Sequence, residues 1–178
     1  LRAAHGRAAP WQRFVRLEDV VVEYGVGYGW NLAALSCRRR IGFDIAHAVE
    51  PLATQHGIEF FSDPGKVPAG AAPVVICYHT LEHLLAPPTE LAHMAEWLTP
   101  GGCLVTFVPW ERERRLRTYQ PHEPNHHLYS WSTQSLGNLL TDCGLSVLEA
   151  GTTTYGYDRF AARCACRFRL GQTGFLWI

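Results

Sequence analysis

The stretch Val20-VVVEYGVGYGWNLAAL-Leu35 decides the fold. Val20, Val21 and Val22 are a β-branched run that reads as a short buried strand. Leu32, Ala33 and Leu35 fall where a following helix would bury them. Between the two lie Gly25, Gly27 and Gly29, each separated from the next by one residue, which marks a strand-to-helix turn. In α/β sheets such turns, at the carboxyl ends of strands, are where ligands bind.

Working outward, strands and helices alternate. Ile41–Phe43 is expected as a second strand ending at Asp44, His47–His56 as a helix that Pro51 starts, kinks or shortens, and Ile58–Phe61 as a third strand. The fourth, Val74–Tyr78, carries no charge and reads as buried on both faces. Pro87 and Pro88 precede a helix whose Leu91, Met94, Ala95 and Leu98 share one face, and the TPGG of residues 99–102 stops it. CLVTFV from Cys103 supplies a fifth strand, and a polar connection runs from Pro109 to about Tyr129. Ser132 is expected to cap a helix bearing Leu136, Leu139, Leu140 and Cys143, with Gly144 as its left-handed stop. LSVLEA, Leu145–Ala150, and DRFAARCACRFR, from Asp158, then read as two antiparallel strands joined by a short turn. The expected fold is α/β, a three-layer Rossmann-like seven-strand sheet, mostly parallel with an antiparallel last strand.

At 178 residues and 47% hydrophobic, the chain suits one domain, expected over 1–178 with its core at about 20–168 and no separate cap. Lysine plus arginine and aspartate plus glutamate balance at 16 each, so no global field favours nucleic acid or an anionic membrane. There is no membrane-spanning apolar run and no signal core, and a cytoplasmic location is the expectation. The six cysteines form no C-x-x-C pair, so neither a zinc ribbon nor a disulfide framework is indicated.

The glycine spacing excludes two common readings. A dinucleotide fingerprint needs its third glycine one position later, and no G-x-x-x-x-G-K-[ST] occurs. An acid before the glycines, Glu23, would repel phosphate but pair with an ammonium group. On these residues the chain resembles the class I S-adenosylmethionine-dependent methyltransferases, whose first motif is an acid followed by G-x-G-x-G. VVEYGVGYG, IGFDIA, VVICYHTLEHL and LTPGGCLVTFVP match that family's motifs in order, and the tail NHHLYSWSTQSLGNLLTDCGLSVLEA resembles the bacterial branch that includes the ubiquinone-type O-methyltransferases.

The resemblance implies S-adenosylmethionine as cofactor. It implies that Glu23 orients the methionine end, that Gly25, Gly27 and Gly29 admit the cofactor to the backbone, and that Asp44 accepts from the ribose hydroxyls. Asp63 would be the adenine-side residue, its alternative being a turn-initiating aspartate before Pro64. Trp30 is expected to pack rather than to bind.

Methyl transfer from a sulfonium is an in-line displacement, so a nearby base is sought. His79, directly after the fourth strand, is the catalytic candidate, with a packing role as its alternative. His79, Glu82, His83 and His126, or His127 in its place, would make a divalent-metal set resembling the E-x-x-E-H plus His site of small-RNA 3′-end 2′-O-methyltransferases. The other reading, taken as the expectation, has Glu82 and His83 lining a helix with no metal.

The expected partner is a small-molecule acceptor methylated on a hydroxyl. Tyr129, Trp131, Tyr155 and Tyr157 would line its pocket, or else pack in the core or at its rim. CYHT stands where DNA amino methyltransferases carry [ND]-P-P-[YFW], which argues against DNA. The neutral charge argues against RNA, which leaves a metal-assisted RNA 2′-O-methyltransferase as an alternative. A second alternative, a non-catalytic partner subunit, sits poorly with an intact Glu23, glycine set and Asp44.

Overall fold

The computed structural model describes residues 10–110, 118–153 and 174–177. The chain falls into two compact units, one of Leu1–Tyr78 with Pro88–Thr106 and one of His79–Pro87 with Phe107–Ile178.

The first unit is built on β1 (Val20–Tyr24), α1 (Trp30–Ala33), β2 (Arg39–Phe43), α2 (Glu50–Gln55), β3 (Ile58–Phe61), β4 (Ala72–Tyr78), α3 (Pro87–Trp97) and the start of β5 (Leu98–Trp110). The architecture is α/β and Rossmann-like, its five-strand parallel sheet ordered β3-β2-β1-β4-β5. The chain steps from β1 outward through β2 to β3, then returns to place β4 on the other side of β1. That reversal puts the switch point beside β1, and the crevice beyond its carboxyl end is where such sheets take ligands. Every residue of β1 is buried, as the valine run predicts for a central strand.

Local chemistry explains the boundaries. Pro51 sits in the first turn of α2, where its missing N–H costs nothing, so it starts the helix rather than breaking it. In α3, Leu91 and Met94 are fully buried as expected. Leu98, expected on the same helical face, instead opens β5. Thr99 precedes Pro100, which biases it away from helical angles, and the helix ends at Trp97. Trp97 is 1% exposed and packs its ring 5.7 Å from those of both Tyr24 and Phe43, an aromatic cluster that periodicity alone did not single out.

In the second unit, Phe107–Trp110 at the end of β5 pairs antiparallel with β7 (Gly174–Trp177), which pairs antiparallel with β6 (Gly151–Thr153). The helix α4 (Thr133–Asp142) begins as its sequence predicts: Ser132 Oγ accepts from Ser135 N–H and Ser135 Oγ accepts in return from Ser132 N–H. Leu136 and Leu140 face its core, and Gly144 turns left-handed at φ 84°. The strand expected at Leu145–Ala150 is not formed. Val147 and Leu148 are exposed there, so the apolar run meets no sheet, and the strand begins only at Gly151. The strand expected from Asp158 lies outside the described residues. No helix among the described residues is long and apolar enough to cross a membrane.

Candidate functional site

The glycine turn leaves β1 with Gly25, Gly27 and Gly29 all left-handed, at φ 75°, 51° and 77°. L-residues enter this region at a cost of about 1–2 kcal/mol each, which accounts for the residue type at all three. Their surroundings differ. A Cβ on Gly29 would lie 2.4 Å from Ile58 Cδ1 and 3.3 Å from Ala53 Cα, so this glycine lets α1 close on α2 and β3. A Cβ on Gly27 would meet nothing within 4 Å, so its backbone is accessible to a ligand. Gly25 N–H and Val26 N–H both donate to Phe43 O, at 2.8 and 2.9 Å, and tie the turn to the end of β2.

Asp44, one residue beyond β2, completes that tie. Its Oδ2 accepts from Gly27 N–H at 2.9 Å and its Oδ1 from Ala46 N–H at 2.9 Å. Each carboxylate oxygen carries two acceptor sites, so both retain one for a hydroxyl pair. Glu23 is 1% exposed, and its Oε1 accepts from Asn31 Nδ2 at 3.3 Å. Asn31 is a residue the sequence reading missed, although it stands two places after Gly29 in the opening stretch. Its amide N–H is a donor suited to an acid across the turn.

Asp63 follows β3 and is exposed. Its Oδ1 accepts from Gly65 N–H at 3.0 Å, capping the short helical turn Pro64–Lys66. The turn-initiating alternative therefore describes one of its oxygens. Trp30, expected to pack, is 49% exposed, with its ring 5.4 Å from that of Tyr28, also 49% exposed. Tyr24 Oη donates to Glu90 Oε2 at 2.6 Å, and burial, reinforced by that carboxylate, pushes the phenol's pKa well up.

His79 belongs to the second unit. It is left-handed at φ 52°, a conformation uncommon outside glycine, and its N–H donates to Phe107 O at 2.9 Å. Its Nδ1 lies 3.4 Å from Glu82 Oε1. Glu82 and His83 form a short helical turn, Leu81–His83, rather than the start of a long helix. His127, not His126, is the histidine brought beside them. His126 is left-handed at φ 49° and its N–H donates to Glu123 Oε2 at 2.6 Å, while Leu128 and Tyr129 N–H donate to Glu82 O at 2.8 and 3.2 Å. Those two main-chain bonds fix the register that selects His127. Tyr129 and Trp131 stack, centroids 5.2 Å apart, whereas Tyr155 and Tyr157 lie outside the described residues.

A family model described as a methyltransferase domain matches residues 2–150. No curated protein matches. Among solved structures, a chain of the complex formed by the Haloferax volcanii Trm112 methyltransferase activator is 20% identical at a TM-score of 0.76, covering 99% of this chain and 90% of that one. An S-adenosylmethionine-dependent methyltransferase from Mesorhizobium loti is 16% identical at 0.71, covering 98% and 97%. The YcgJ protein of Bacillus subtilis is 13% identical at 0.69, covering 99% and 97%. At these identities the structures speak to the fold alone.

Proposed function

The chain belongs to the methyltransferase domain family, the class I S-adenosylmethionine-dependent methyltransferases, and from that premise we propose that it methylates a hydroxyl of a small-molecule acceptor. The observation that carries the cofactor site is the Asp44–Gly27 hydrogen bond, which holds an open glycine backbone and a carboxylate with spare acceptor sites at the switch point of one sheet. Those features fit S-adenosylmethionine. Gly27 and Gly25 admit it, Asp44 takes the ribose diol, and Glu23 faces the ammonium of the methionine end. Asp63, through the oxygen not used in capping, serves the adenine side.

S-adenosylmethionine supplies an electrophilic methyl group on a sulfonium. The protein's part is to hold the acceptor in line and to take up its proton, a role we assign to His79. A nucleophile of hydroxyl type needs that help, which favours an oxygen acceptor. The complete seven-strand sheet with its antiparallel last strand, a single domain over 1–178 and a cytoplasmic location belong to the same reading.

The test is calorimetric titration of the chain with S-adenosylhomocysteine, beside its Gly27→Val and Asp44→Ala variants. Micromolar binding that both substitutions abolish supports the site and opens a screen of hydroxylated acceptors. Absence of binding by the intact chain overturns the reading and puts the non-catalytic partner subunit in its place.

A further inference from the structure

Glu82, His83 and His127 take no part in the methyl-transfer reading, yet the fold gathers them. One ligand atom from each lies within 4.8 Å of the other two. The Leu81–His83 turn supplies the first pair, and the hydrogen bonds from Leu128 and Tyr129 N–H to Glu82 O bring His127 against it. The rings of His83 and His127 meet edge to face with centroids 4.9 Å apart.

The carboxylate is the decisive member. Glu82 is 0% exposed, and among the described residues neither of its oxygens makes a hydrogen bond. Two imidazole nitrogens, His79 Nδ1 and His83 Nε2, stand 3.4 and 3.9 Å from the same oxygen, Oε1. At those distances and directions neither completes a hydrogen bond, so a fully buried carboxylate keeps both oxygens available as ligand atoms.

We infer that Glu82, His83 and His127 form a site for a divalent transition-metal cation such as zinc, with His79 beside it. Two imidazole nitrogens and one carboxylate oxygen suit zinc, cobalt, nickel or ferrous iron better than magnesium or calcium, which prefer oxygen. Metal–ligand bonds of about 2.0–2.2 Å put neighbouring ligand atoms roughly 3.3 Å apart in a tetrahedron. Rotation of the imidazoles closes the observed spread. His83, 41% exposed, gives the cation a way in from solvent, and three protein ligands leave a fourth position for water. The bound cation pins the Leu81–His83 turn to the segment carrying His127.

The experiment uses the full chain without an affinity tag and cobalt as a spectroscopic stand-in for zinc. One equivalent of cobalt should give visible bands of a four- or five-coordinate nitrogen–oxygen site, and zinc should displace it. Glu82→Gln and His127→Gln should each weaken zinc binding by about tenfold or more, whereas His122→Gln and His126→Gln should leave it unchanged. His127 is half-buried, so its variant tests the site even if Glu82→Gln fails to fold. No stoichiometric binding by the intact chain, or binding that His127→Gln leaves untouched, overturns the inference. S-adenosylhomocysteine titration of the same samples reads the cofactor site separately, so failure of one reading is distinguishable from failure of the other.

Discussion

Asp44 and Gly27, 17 residues apart, are joined by a 2.9 Å hydrogen bond from the glycine N–H to Oδ2. With Ala46 N–H on Oδ1, the acid holds both the turn after β1 and the segment after β2. Asp44→Ala releases both. A hydrogen bond to a charged group contributes about 1.5–3 kcal/mol when buried, and Asp44 is half-exposed, so the expected loss of stability is about 1–2 kcal/mol in urea unfolding. S-adenosylhomocysteine affinity should fall at least roughly tenfold, about 1.4 kcal/mol. Asp44→Asn, which keeps one acceptor oxygen, should lie between the two. A variant that loses stability but binds as tightly as the parent would show the carboxylate to be structural only.

The glycines separate by role. Gly29→Ala brings its Cβ to 2.4 Å from Ile58 and into a left-handed backbone, and should cost about 3 kcal/mol or more. Gly27→Ala pays only the conformational strain, about 1–2 kcal/mol. Thermal unfolding should rank them in that order. Calorimetry should show that Gly27→Ala loses more cofactor affinity per unit of stability lost.

Tyr24 sets an alkaline limit. Folding raises the phenol's pKa above its ordinary value of 10.0, first through burial and then through Glu90, so the unfolded chain releases this proton first as pH climbs. The contribution is complete below about pH 10 and falls as pH rises beyond it. Tyr24→Phe should cost about 1–2 kcal/mol at pH 7, with the largest part from the bond to Glu90. Measured by urea unfolding from pH 7 to 11, the gap between parent and variant should narrow above pH 10. A gap that stays constant would mean the buried phenol carries no such linkage.

His79→Asn separates backbone from side chain. Asparagine tolerates the left-handed angles of this position better than most residues, so the variant should fold and bind S-adenosylhomocysteine as the parent does. Methyl transfer to a hydroxyl acceptor should fall roughly 10²-fold or more, the ordinary contribution of a positioned base. Unchanged turnover would leave His79 a packing residue.

What could be read from the sequence was whatever depends on near neighbours. The valine run, the three glycines, Pro51 inside a first turn, and the serine cap followed by a glycine stop each act over a few residues, so their chemistry is written in order along the chain. The acid–glycine spacing and the acid-ended second strand were legible for the same reason. Pairing across the chain was not. That Asp44 holds Gly27, that Glu23 meets Asn31, that Gly29 is small because of Ile58 and Ala53, and that Trp97 joins Tyr24 and Phe43 follow from how strands and helices pack. So does the choice of His127 over His126, adjacent residues of one type, which sequence chemistry cannot distinguish. Two main-chain hydrogen bonds to Glu82 decided it by setting the register, and with it which imidazole lies beside the buried acid.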